Sequence, residues 1–155
     1  MEQQVDLKAL RARYEELIGF VPPRAGARLE VLAELDPETL LMQEEIRRRL
    51  MYPPCFDVKT AQLMLFGMLL MTLADAARLH GIAARRAGAT WEELAAVVGL
   101  AFLFRGLPAA NLGSLIIKEM MEQERAQGEG QGGRPGGGEA QGPAQGKRAG
   151  QAAGE

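Results

Sequence analysis

The sequence predicts an all-α protein of about six helices with a disordered C-terminal tail. Apolar residues recur at helical spacing through most of the first 126 residues, and glycine and proline separate these periodic segments. No segment alternates polar and apolar residues in the manner of a strand. We therefore expect one helical domain over residues 1–126 and a tail over residues 127–155.

The first three predicted helices are short and end at clear breaks. The first covers residues 7–18, stops at Gly19 and is followed by two prolines. The second covers about 25–33. Asp36 is the predicted N-cap of the third, a charge-rich helix over residues 39–51.

The fourth helix is predicted to be the longest. Asp57 is a suitable N-cap, and the helical pattern then runs over residues 58–87 until Gly88. This segment contains the longest uncharged run of the chain, the fifteen residues 60–74. The run is shorter than the roughly 20 residues of a membrane span, so it predicts a buried helix.

Two further helices complete the predicted domain. Thr90 begins a helix that extends to Arg105, and Glu93 completes a capping box with Thr90. A last helix covers Ala109 to about Arg125. Because the connection at Gly88 is short, the two long apolar helices that flank it are predicted to form an antiparallel hairpin in the core.

Composition argues against several classes of function. Residues 127–155 hold eleven glycines, five glutamines and no large apolar residue, which predicts disorder. The net charge of −2 and the absence of a basic cluster argue against a nucleic-acid partner. The single cysteine, Cys55, cannot form an internal disulfide, and no apolar signal region is recognised. We therefore expect a cytoplasmic protein with no membrane partner.

His80 is the only histidine and the first candidate for acid–base chemistry, since imidazole titrates near neutral pH. Most of the residues that share its helix face are small, which allows a neighbouring helix to approach or leaves room for a small ligand. These residues are Leu73, Ala76, Ala77, Ala83 and Ala84. Spacing alone assigns His80 no carboxylate partner, and a satisfied interior histidine is the alternative interpretation.

Three segments in this order, FDVKT, RLHGIAARRAGATWEEL and FRGLPAAN, resemble the carboxymuconolactone decarboxylase family, which includes the AhpD-like alkylhydroperoxidases. The matching elements are His80, the GATWEE segment at 88–93 and the FRGLPAA turn at 104–110. The resemblance covers about residues 54–117. It implies an AhpD-like helical bundle and a homo-oligomer, commonly a trimer or hexamer, with sites near subunit interfaces.

The chain departs from the family at its reactive positions. The peroxidase branch places a Cys-x-x-Cys pair where Leu73 and Ala76 stand, so the chain is not expected to be a thiol peroxidase. The decarboxylase branch carries a glutamate at the position of Ala76 and a tyrosine at that of Phe104. Of the polar groups that the resemblance would carry over, His80 alone remains.

Two functional hypotheses follow. The first is a lyase that decarboxylates a small carboxylated lactone or keto-acid-like metabolite without metal or organic cofactor. His80 would protonate the enolate left when CO₂ departs, and Arg105, beside the Gly-x-Pro turn, would bind the substrate carboxylate. The second is a non-catalytic or repurposed member that serves as an oligomeric binding or interaction protein.

Other side chains have two interpretations each. Met64, Met68 and Met71 line a hydrophobic ligand pocket or pack in the core. Arg105 either binds a carboxylate or is a solvated helix end. A further group forms a charged face that could pair with Glu92 or Glu93 at an oligomer interface; its members are Arg78, Arg85 and Arg86.

Overall fold

The computed structural model describes residues 5–131, which form seven α-helices and no strand. In chain order the helices are α1 (Leu7–Ile18), α2 (Pro23–Leu35), α3 (Pro37–Met51), α4 (Val58–Met71), α5 (Ala77–Arg86), α6 (Trp91–Arg105) and α7 (Leu107–Gln131). The predicted all-α fold is confirmed. α7 extends into the first residues of the predicted tail, and the rest of that tail, 132–155, lies outside the described residues.

Three helices begin at the predicted N-cap residues. Asp36 accepts a hydrogen bond from the backbone N–H of Thr39 at 3.1 Å, and Asp57 accepts one from Thr60 at 2.6 Å. Thr90 and Glu93 form both hydrogen bonds of the predicted capping box. Such side-chain caps satisfy N–H groups that the first helical turn leaves without partners.

The prediction of a single long helix over residues 58–87 is wrong. The chain breaks into α4 and α5 at a turn that covers residues 72–76. Leu73 adopts a left-handed backbone (φ 54°), and the N–H of Ala74 donates to the carbonyl of Leu69 at 3.0 Å, which closes the end of α4. Glycine normally occupies this left-handed position, so the leucine concealed the helix end in the sequence.

This break changes how the core is assembled. α5 folds back and packs on α4, while α6 packs against α4 and α7. The predicted hairpin across Gly88 is therefore replaced by a pairing of α6 with α4. At its centre Phe66, Leu70 and Leu94 are fully buried.

A second apolar cluster joins α1, α2 and α3 to α5. It includes the buried face predicted for α1, together with Leu29, Leu40 and Ala83. Small residues on α5 allow this close packing, as expected around His80. No helix among the described residues is both long enough and apolar enough to cross a membrane.

Candidate functional site

His80 lies in the first turn of α5 and is partly buried against α4. Its Nδ1 atom is 2.8 Å from Oε1 of Gln62, a fully buried side chain. In this orientation of the Gln62 amide its oxygen accepts the hydrogen bond, and Nδ1 then carries the proton of the neutral ring. The Nε2 atom then presents a lone pair.

The surroundings of His80 keep its imidazole neutral. Burial, with a smaller contribution from the positive charge of Arg47, lowers the pKa of His80 to about 4. At pH 7 the imidazolium form is then about one part in a thousand. A general acid must be protonated before it can act, so the role predicted for His80 requires that substrate binding raise its pKa.

Gln62 was not predicted as a site residue. It is the only polar side chain between Ala61 and Met71 in the apolar helix α4, and that isolation was the available signal. Its Nε2 atom is buried and has no hydrogen-bond partner among the described residues. An unpaired buried donor lowers the stability of a folded protein by about 1–3 kcal/mol, so the amide of Gln62 beside the imidazole destabilises the fold.

A second polar cluster lies on α1, α2 and α3. The hydroxyl of Tyr14 donates to Oε1 of Glu44 at 2.9 Å and accepts from Arg28 (2.9 Å) and from Nε of Arg47 (3.0 Å). Glu44 is only 2% exposed and is also paired directly with Arg28. From the sequence, α3 is recognisable only as a charge-rich helix.

Arg47 is held tightly in this cluster. Its guanidinium carbon stands 3.9 Å from the centroid of the Tyr14 ring, and its side chain is 20% exposed. A cavity of about 250 Å³ adjoins it, lined by Arg13, Glu16, Glu44, Arg47, Arg48 and Tyr52. Arg47 thus contributes to the field at His80 and also faces this cavity.

Arg105 lies elsewhere in the molecule. It is exposed in the last turn of α6, and no hydrogen bond or ion pair within residues 5–131 involves it. None of the contacts among these residues joins it to His80. The carboxylate-binding role of Arg105 remains a prediction.

The methionines of α4 divide between the two predicted environments. Met71 packs against the core, whereas Met64 and Met68 are exposed. All three line an apolar groove of about 560 Å³ between α4 and α6, with Leu100 and Phe104. An ion pair of 2.7 Å between Lys59 and Glu93 also borders this groove.

The predicted charged face of α5 has partners within the chain. Arg78 pairs with Glu119, and Arg85 pairs with Glu124 at 3.0 Å, both on α7. Arg86 donates to the backbone carbonyl of Glu16 at 3.3 Å. Glu93, one of the two predicted partners, is paired with Lys59 instead. No group of three or more metal-ligating side chains occurs in the described part of the chain.

Comparison with known proteins identifies a shared fold. The structure resembles the crystal structure of a putative carboxymuconolactone decarboxylase from Burkholderia xenovorans LB400, with a TM-score of 0.62 and 23% sequence identity. The alignment covers 78% of this chain and 95% of that one. No protein-family model and no curated protein matches the sequence. The predicted helical scaffold is thereby confirmed.

Proposed function

We propose that this protein is a lyase resembling carboxymuconolactone decarboxylase, which removes CO₂ from a small carboxylated lactone or keto-acid-like metabolite. The buried pair of Gln62 and His80 carries this proposal. Gln62 holds the imidazole in one tautomer and leaves an amide donor unpaired beside it. The shared fold with a protein of that name supports the same reaction class.

The proposed reaction needs one proton. When the carbon–carbon bond to the carboxylate breaks, CO₂ leaves and the electron pair moves onto the neighbouring carbonyl as an enolate. His80 gains a proton from solvent when the anionic substrate binds, because a negative charge close to the buried imidazole favours its protonated form. The imidazolium then delivers this proton to the enolate carbon and returns to its neutral form.

The test measures CO₂ release from a carboxymuconolactone and from acetoacetate. We expect His80→Gln to lower turnover at least 100-fold, since general acid–base groups typically contribute this much. Arg49→Gln, which removes an exposed charge from α3, is the matched control and should keep full activity. Equal CO₂ release by His80→Gln and the unaltered protein would contradict the assignment.

The second candidate is an oligomeric interaction protein, and the groove between α4 and α6 favours it. Met68 is 57% exposed, Leu100 62% and Phe104 82%. Exposed apolar patches of this kind mark interaction surfaces, and the family resemblance implies that the partner is a second copy of the chain.

Sedimentation velocity tests this candidate. Leu100→Glu should dissociate the oligomer, because the new charge would be buried in the interface without a partner. Leu35→Glu alters a comparably exposed leucine on α2 and should leave the mass unchanged. An unaltered protein that sediments as a monomer at all concentrations would refute self-association.

A further inference from the structure

Arg47 has hydrogen-bonding capacity that the described residues do not use. A guanidinium carries five N–H donors. Within residues 5–131, Nε of Arg47 donates to the hydroxyl of Tyr14, and one terminal nitrogen donates to the sulfur of Met51 at 3.3 Å, a weak acceptor. Its nearest approach to a carboxylate is 3.6 Å, from Nε to Glu44, which is longer than a hydrogen bond.

The cluster around Glu44 also has more positive than negative charge. The carboxylate of Glu44 is already matched by Arg28 and by the hydroxyl of Tyr14. Arg47 is therefore a second cation beside a single buried anion. A cation that is only 20% exposed and shares its one carboxylate with another cation is stabilised when a further anion binds beside it.

The adjoining cavity has room and charge for such an anion. Its volume of about 250 Å³ equals roughly eight water molecules at their share of liquid volume. Arg48 is committed to a two-point pair with Glu45 (2.7 and 2.9 Å). Arg13 also lines the cavity and makes no hydrogen bond or ion pair within the described part of the chain.

We propose that this cavity binds the carboxylate group of a small metabolite, with Arg47 as the principal contact and Arg13 as the second. The planar fork of a guanidinium matches the two oxygens of a carboxylate, which favours this ligand over a point anion. Glu16 and Glu44, which also line the cavity, disfavour a ligand with a second negative charge close to the first.

The site is coupled to His80 through Arg47. Burial is the main cause of the low pKa of His80, and the positive charge of Arg47 is the second; a carboxylate bound to Arg47 offsets that second contribution and raises the pKa of His80 above about 4. That the bound carboxylate is the substrate rests on the proposed function; that a carboxylate binds does not.

The experiment uses the full chain and a stable probe, 5-oxotetrahydrofuran-2-carboxylate, with its methyl ester as the uncharged counterpart. NMR follows the Hε1 signal of His80, which is unambiguous because the chain has one histidine. The acid should bind and raise the pKa of His80, and the ester should do neither. Inorganic phosphate that binds more tightly than the acid would overturn the assignment to carboxylates.

Variants test whether Arg47, rather than another arginine, binds the carboxylate. Arg47→Gln should weaken binding of the acid at least tenfold, and Arg47→Lys should restore little, because an ammonium lacks the planar fork. Arg13→Gln alters an exposed side chain and should weaken binding several-fold without affecting the fold. Arg49→Gln, which removes an exposed charge from the same helix, is the control and should leave binding unchanged.

The outcomes distinguish this inference from the proposed function. Binding that depends on Arg47 in a protein without turnover supports the site and refutes the lyase. Unchanged binding in folded Arg47→Gln overturns the site, whether or not the protein releases CO₂. Loss of binding in Arg105→Gln alone would overturn the assignment to Arg47 and show that Arg105 binds the carboxylate.

Discussion

The stability of this protein should depend on pH through its one histidine. His80 has a pKa of about 4 in the folded protein, against 6.5 when unperturbed. Between these values the unfolded chain binds a proton that the folded protein excludes, so the free energy of unfolding falls as the pH falls. From pH 7 to pH 5 the two pKa values predict a loss of about 2 kcal/mol.

Urea unfolding followed by circular dichroism at pH 7, 6 and 5 measures this loss. His80→Gln is the matched variant, because glutamine does not titrate and the carboxylates of the chain are the same in both proteins. The difference between the two pH slopes therefore belongs to His80. Parallel slopes, or an Hε1 signal that titrates near pH 6.5 in the folded protein, would refute the neutral, desolvated imidazole.

Three other measurements test the packing and the turn. Gly113→Ala should destabilise the fold by about 1–3 kcal/mol, since the new Cβ would lie 2.5 Å from Val98. In the control Gly99→Ala the new Cβ meets nothing within 4 Å, so this substitution should stabilise α6 by about 0.5–1 kcal/mol. Equal melting temperatures for these two variants would contradict the close approach of α7 to α6. Leu73→Gly should raise the free energy of unfolding by about 1 kcal/mol, because glycine adopts the left-handed backbone without the steric strain of a leucine. Leu103→Gly, at an exposed position inside α6, should lower the free energy of unfolding by about 1 kcal/mol. Destabilisation by both leucine substitutions would show that Leu73 is not strained. Thr90→Ala should cost about 1 kcal/mol through loss of the capping box, and thermal unfolding with no change would show that the cap contributes nothing.

Most helix positions could be predicted because their signals are local. Asp36, Asp57 and Thr90 cap helices through N–H groups only three residues away, and Gly19 and Gly88 adopt the left-handed backbone that ends a helix. The break at Leu73 could not be predicted in the same way. A leucine there carries no glycine-like signal, and the packing of α5 on α4 compensates for its unfavourable backbone.

The residue types of the candidate site were visible in the chain, but their partners were not. His80 stood out as the single imidazole, yet its neutral state depends on burial and on Arg47 from a helix more than thirty residues away. Its position beside the Gly-x-Pro turn also made Arg105 a candidate, and Arg105 lies exposed at the end of α6.

By itself the sequence determined the all-α class, the caps and most helix ends, because these depend on neighbours within a turn or two of backbone. Only the tertiary structure decided that Gln62 holds the imidazole and that Arg28 and Arg47 share one buried carboxylate. Both facts arise from groups that the fold brings together and removes from water. In that buried environment, polar groups and charges without partners are most costly.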